Sequence, residues 1–190
     1  MDYLIYHFAD LPFSQEEALS MLPEEEKAER LRRGKTALFS RAILRMELAR
    51  RSHCAPQEVL IRTGEHDKPF SPGIHFNISH SRDCLCLAFH HAEIGVDVEY
   101  IRTRNFQQLA PRFMAEEQWL AFRARGCPEH EFYDCWCASE ALVKHAGESM
   151  WNAKQYPFIY KDGRIIPQFD TALQIRLFSP MPGYCGALVY

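Results

Sequence analysis

The sequence has no C-x-x-C pair, no apolar run of membrane-spanning length and no low-complexity linker. The first absence removes the usual spacing of a structural zinc site, although there are seven cysteines. Two pairs, Cys84/Cys86 and Cys135/Cys137, are spaced C-x-C, and most of the seven sit among apolar residues, where a reduced thiol behaves as a small hydrophobe. Reduced thiols favour a cytoplasmic protein. The second absence argues against a membrane span, and the N-terminal stretch Met1-Asp2-Tyr3-Leu4-Ile5-Tyr6, with its early acid, does not read as a signal peptide. Net charge is also small: 22 Lys and Arg against 25 Asp and Glu leave a formal −3, which does not point to a nucleic-acid partner.

What is present is an ordinary globular composition, 47% hydrophobic over 190 residues, enough for one core or two small subdomains that share one. Residues 3–8 read as a strand. Ser14-Gln15-Glu16-Glu17 opens a short helix with a capping box. One longer helix is expected from about Pro23 to Arg51, with Phe39, Ala42, Ile43, Met46 and Arg50 as its buried stripe. Three β-like runs, 74–78, 84–90 and 93–99, look like an antiparallel meander with turns at 80–83 and 90–92. Residues 105–125 are helical with a break at Pro111, and Glu129 to Ala146 is a stronger helix stopped by Gly147. Strands at 156–160, 172–178 and 184–189 follow. The order predicts an α+β protein of two similar subdomains, 1–100 and 101–190, each a small antiparallel sheet against a long helix, packed together as a monomer.

Charge is unevenly placed. Arg30, Arg32, Arg33, Lys35, Arg41, Arg45, Arg50 and Arg51 share their stretch with a single acid, Glu47. A solvated helix face explains this, and so does a landing site for an anion. In Ile94-Gly95-Val96-Asp97-Val98-Glu99, an extended chain sends Val96 and Val98 to a core and Asp97 and Glu99 together to the other face. Neighbouring carboxylates repel unless a positive charge lies between them, and hard Mg²⁺ takes carboxylate oxygens. On the helix around Trp136, Phe132, Cys135, Ser139, Val143 and Ala146 form one stripe, with Glu140 and Lys144 one turn apart on its flank. Alone, that pair is an i,i+4 salt bridge worth roughly 0.3–0.5 kcal/mol. Joined to Asp97 and Glu99, it could complete a site for Mg²⁺ and a phosphate. The strand end Asn77-Ile78-Ser79-His80-Ser81 adds an amide, hydroxyls and an imidazole able to gather phosphate oxygens.

These three pieces, in this order and at these intervals, resemble the 4′-phosphopantetheinyl transferases of the surfactin-synthetase-activating type. The first is Asn77-Ile-Ser-His80-Ser81 and the second is Ile94-Gly-Val-Asp97-Val-Glu99. The third is Trp136-Cys-Ala-Ser139-Glu140-Ala-Leu-Val-Lys144. Further likeness lies in Ser40-Arg41-Ala42-Ile43-Leu44-Arg45, in Lys68-Pro69 (a G-K-P loop with Asp67 in place of Gly), and in Arg112-Phe113-Met114-Ala115-Glu116-Glu117. The resemblance implies a pseudo-dimer of α+β halves with coenzyme A between them. It further implies transfer of the phosphopantetheine arm to a serine of an apo carrier protein. By matching positions, Asp97, Glu99 and Glu140 would hold Mg²⁺, with Mn²⁺ a substitute. Lys144 would stabilise or protonate the leaving phosphate, and Arg41, Lys68, Ser79 and His80 would contact the adenosine bisphosphate end. Glu140 could also take the serine proton.

One position departs from the family pattern. Where that pattern has a lysine before the glutamate, this chain has Ser139, in the apolar stripe, too short to reach a phosphate. A homologue that binds coenzyme A or a carrier without turnover is the alternative this residue raises, and a metal-dependent phosphodiesterase is a third. The stretch Phe106 to Phe122, with Met114 and Trp119, is a candidate carrier-docking surface, although Trp119 and Phe122 at helical spacing also fit simple core packing.

Overall fold

A computed structural model describes residues 1–64, 68–169 and 172–190; Asp67 of the expected G-K-P-like loop lies outside them. The N-terminal part runs through strand β1 (Asp2–His7) and helices α1 (Gln15–Ser20), α2 (Glu24–Arg33) and α3 (Lys35–Ser52). Two short strands follow, β2 (Arg62–Thr63) and β3 (Pro69–Phe70), then β4 (His75–Ser81) and β5 (Cys84–His90). The C-terminal part has β6 (Gly95–Tyr100), α4 (Phe106–Leu109), α5 (Glu116–Ala124), α6 (Glu129–Ala146), β7 (Phe158–Lys161), β8 (Arg164–Pro167), β9 (Ile175–Phe178) and β10 (Tyr184–Val189).

Three sequence expectations need correction. The single helix from Pro23 to Arg51 is two helices, because Gly34 adopts φ +94, which no right-handed helix tolerates. Residues 80 and 81 extend β4, so the turn is only Arg82-Asp83, with Arg82 at φ +48. The meander also stops after two strands. β5 is flanked by β1 on one edge and β4 on the other, so it has no edge left for β6. β6 pairs instead with β10, which in turn pairs with β9. A strand the sequence reading did not anticipate, β8, closes a hairpin on β7 across Asp162-Gly163.

The result is an α+β fold of two antiparallel-sheet and long-helix subdomains, in the layer order α3, first sheet, second sheet, α6. Ile43, Leu44 and Leu48 of α3 pack on Phe76, Leu85, Leu87 and Phe89. The opposite face of the same sheet, Cys84, Cys86 and Ala88, meets Val96 and Val98 of β6 and Leu188 of β10 between the layers. Phe132, Cys135, Ala138 and Leu142 of α6 pack with Ala187 and Val189 on the outer face of the second sheet. Period-2 alternation in β4–β6 and β10 sorts residues between these layers. No helix among the described residues is long and apolar enough to cross a membrane.

Candidate active site

β6 lies alongside β4 without a backbone ladder between them, and β4 side chains supply the missing acceptors. Asn77 Oδ1 accepts from Val96 N at 3.0 Å, Ser79 Oγ from Val98 N at 3.3 Å and Ser81 Oγ from Tyr100 N at 3.1 Å. The same hydroxyls then donate to the strand carboxylates: Ser79 to Asp97 Oδ1 at 2.7 Å and Ser81 to Glu99 Oε2 at 2.8 Å. Asp97 and Glu99 thus share the face of β6 that the alternation predicts, opposite Val96 and Val98. Asp97 is only 3% exposed.

Gly95 lets α6 approach this strand. A Cβ at residue 95 would stand 1.9 Å from the carbonyl oxygen of Ala141 and 2.7 Å from the amide of His145, so no other residue fits. That contact aligns the flank of α6 with Asp97. Lys144 Nζ lies 2.7 Å from Asp97 Oδ1, 3.2 Å from Ser79 Oγ and 3.6 Å from Glu140 Oε2. One ammonium therefore stands between the strand aspartate and the helix glutamate. Burial lowers the Lys144 pKa, but Asp97 and Glu140 outweigh it and hold the ammonium protonated above its ordinary value.

Two of the carboxylates are shifted up as well, which for an acid favours the neutral form. Burial, followed by repulsion from Asp97, raises the Glu140 pKa. Burial also raises Glu99, where the Asp97 charge adds to the effect and the Ser81 bond opposes it. Among the described residues no three His, Cys, Asp or Glu side chains already form a closed metal cage. The donor set nonetheless fits a divalent cation on two observations. Asp97 Oδ2 is buried with no hydrogen-bond partner, an arrangement that costs free energy unless something positive meets it. Three carboxylates also lie close enough for their charges to interact, with Lys144 and, at Glu99, Arg104 to offset them.

His80 points to the other face of β4, toward α3. There it helps line a cleft of about 530 Å³ with Arg30, Arg33, Ser40, Arg41 and Pro69. A smaller recess of about 190 Å³, lined by Lys68, Asn77, Ile78 and Lys144, shares Pro69 and Ile78 with the cleft. The two adjoin at Pro69 and Ile78 and form a trough from Arg30 and Arg41 past His80 to Lys144, basic on balance although Glu29 and Glu148 also line it. The enclosing walls, and next the charge of Lys144, hold the His80 pKa below the ordinary imidazole value. Ser79 turns its hydroxyl to Asp97 and not into this trough. Lys68 pairs with Glu93 at 3.0 Å, and Glu93 is also held by His75 Nδ1 at 2.9 Å.

The basic stretch of the sequence divides. Arg41 binds Glu26 through two bonds of 2.6 Å, and Arg45, 3% exposed, binds Glu26 and the carbonyls of Pro56 and Val59. Arg50 and Arg51 both hold Glu47. Arg30 and Arg33 line the cleft, Arg33 paired there with Glu29 at 2.6 Å.

Residues 93–184 match the model of the 4′-phosphopantetheinyl transferase superfamily. Those limits take in Asp97, Glu99, Glu140 and Lys144. The likeness to that superfamily covers just under half of the chain. The chain is 26% identical over 199 residues to the 4′-phosphopantetheinyl transferase Sfp of Bacillus subtilis strain 168, across 93% of this chain and 87% of that protein. It is 36% identical over 129 residues to the 4′-phosphopantetheinyl transferase AcpT of Salmonella typhimurium, across 63% of this chain and 66% of that protein.

Three features escaped the sequence reading: Ser81 and Asn77 as acceptors for β6, Gly95 as the contact with α6, and Arg104, whose charge favours ionised Glu99. The alternate polar residues 77, 79 and 81 on an otherwise apolar strand were the available signal for the first. The expected docking stretch is corrected in part. Met114 is 2% and Phe122 1% exposed, both in the core of the α6 layer, so neither can present an apolar strip to a partner. Ser139 is 2% exposed and faces the same side as its apolar neighbours.

Proposed function

We propose that the protein transfers the 4′-phosphopantetheine arm of coenzyme A to a serine of an apo carrier protein, releasing adenosine 3′,5′-bisphosphate. The observation that carries this reading is the basic trough ending at Lys144, beside the buried, unpartnered oxygen of Asp97. A nucleotide with a 3′-phosphate and a pyrophosphate needs cations at both ends of its path. Arg30, Arg33, Arg41 and His80 serve the first end, and Lys68 and Lys144 the second.

Asp97, Glu99 and Glu140 are the residues that would hold Mg²⁺, or Mn²⁺ in its place. When bound, the ion polarises the pyrophosphate and offsets its charge. Lys144, held protonated, meets a phosphate oxygen as a point charge and steadies the departing bisphosphate. Glu140, with its pKa raised by burial, is matched to take the proton of the carrier serine. The serine oxygen then bonds the phosphorus next to the pantetheine, and the bond from that phosphorus to the bridging oxygen of the adenosine bisphosphate breaks.

Ser139 favours a second reading, a homologue that binds coenzyme A and carrier without turnover. Incubation with coenzyme A, Mg²⁺ and a panel of apo carrier proteins, followed by intact mass, separates the two. The transferase adds the mass of the arm to a carrier serine, and Glu140→Gln abolishes it. Coenzyme A binding with no mass added to any carrier would overturn the transferase reading.

A further inference from the structure

We infer that Ser81, together with Ser79, selects a small six-coordinate cation over Ca²⁺ by occupying one oxygen of each strand carboxylate. The inference rests on the reading above only in taking Asp97 and Glu99 as cation ligands.

A serine hydroxyl has one proton and two lone pairs. Here each Oγ already accepts a β6 amide, from Val98 or from Tyr100, so its proton is directed to the carboxylate of the preceding residue. The resulting bonds, 2.7 Å to Asp97 Oδ1 and 2.8 Å to Glu99 Oε2, are short and charge-assisted. At Asp97 the same oxygen also takes Lys144, while Oδ2 is buried and has no partner. At Glu99 the oxygen that Ser81 does not occupy is Oε1. Each carboxylate is therefore presented one oxygen at a time, in an orientation set by backbone amides.

That presentation discriminates by ion size. Ca²⁺ takes about 6–8 oxygens at about 2.3–2.6 Å and commonly grips a carboxylate through both atoms. Mg²⁺ takes six at about 2.0–2.1 Å, uses one or two carboxylates through single oxygens, and keeps waters or substrate phosphates in its remaining positions. A serine bonded to the second oxygen of each carboxylate blocks the two-atom grip. Without the Ser81 hydroxyl, Glu99 can turn both oxygens to one ion.

The test is direct cation binding, read by calorimetry with MgCl₂ and CaCl₂, on the protein alone and on the protein saturated with coenzyme A. Wild type should bind Mg²⁺ more tightly than Ca²⁺. Ser81→Ala should lower Mg²⁺ affinity roughly tenfold, as loss of a partner of a metal ligand does, with Ca²⁺ affinity unchanged or improved. Ser81→Thr should restore the wild-type ratio, and Ser81→Cys, a weaker donor of similar size, should fall between. If Ser81→Ala proves unfolded by circular dichroism, the threonine and cysteine variants alone decide. Equal losses for both ions, an unchanged ratio, or no binding of either ion by wild type would overturn the inference. No carrier or turnover is involved. Selective binding without transfer would therefore sink the transferase reading alone, and transfer with a ratio insensitive to Ser81 would sink this inference alone.

Discussion

Two clusters of charge, one in each half of the molecule, are built on opposite terms. In the N-terminal half Glu26 is shared by Arg41 and Arg45; burial alone would raise its pKa, but the two guanidinium groups hold it down to about 2. Arg45 spends its remaining donors on the carbonyls of Pro56 and Val59. Such a cluster satisfies itself and pins α2 to α3. In the C-terminal half three carboxylates have Lys144 between them, Glu99 and Glu140 are pushed up, and an oxygen of Asp97 is left with nothing. The first arrangement is closed; the second is short of positive charge. An excess of like charge held in place by a glycine contact and a serine ladder marks a site kept for something from outside.

Asp97→Asn attacks the open cluster at its centre. Transfer should fall on the order of 10³-fold, the scale of losing a charged group that acts at the reacting centre, with circular dichroism unchanged. A loss below tenfold would mean that the shortage of charge has no part in the chemistry. Arg45→Ala attacks the closed cluster and should do the reverse. It leaves Glu26 to Arg41 alone and the carbonyls of Pro56 and Val59 without their donor, and should cost about 1–3 kcal/mol in denaturant unfolding, while coenzyme A turnover at low temperature stays within a few-fold. If the two substitutions gave the same mixture of effects, the contrast between the clusters would fail.

A third prediction concerns pH. A raised carboxylate pKa favours the protonated form in the fold, and a cation binds the ionised form. Protons therefore displace it starting above the ordinary glutamate value of about 4.3. The gain in melting temperature on adding Mg²⁺ should shrink as pH falls from 7 to 5. Glu26, held low, stays ionised through that range, and its contribution to stability is lost progressively as pH falls from the ordinary glutamate value of about 4.3 toward 2. A Mg²⁺ increment that is flat down to pH 4 would show that Glu99 and Glu140 do not hold the ion. The smallest effect is expected at the far end of the trough. His80→Ala should weaken coenzyme A binding by roughly tenfold, the size of one charge-assisted hydrogen bond. For wild type, affinity should improve as pH drops below the ordinary imidazole value, since an anion favours the protonated ring.

Much of the open cluster was legible because its signals are local. The Val-Asp-Val-Glu alternation placed Asp97 and Glu99 on one face, and Gly147, at φ +73, ends α6 where its sequence suggests. Glu140 and Lys144 fell on a boundary because 3.6-residue periodicity puts them there. The closed cluster was hidden in the same kind of pattern. Arg45 looks like a surface residue until α2 folds back at Gly34 and brings Glu26 to it. The pairing of β6 was illegible for another reason. Its partner β10 lies at the end of the chain, and no local pattern says that β5 already has both edges filled. Met114 failed as a docking residue because exposure depends on what α6 covers.

The account turns on whether Asp97 and Glu140, with Glu99, take a divalent ion together. The direct measurement is the electron paramagnetic resonance of Mn²⁺ titrated into the protein in the presence of coenzyme A. One tight site is expected in wild type and in Arg41→Lys, and loss of that site in both Asp97→Asn and Glu140→Gln. An Mn²⁺ signal that saturates identically in all four proteins would contradict it.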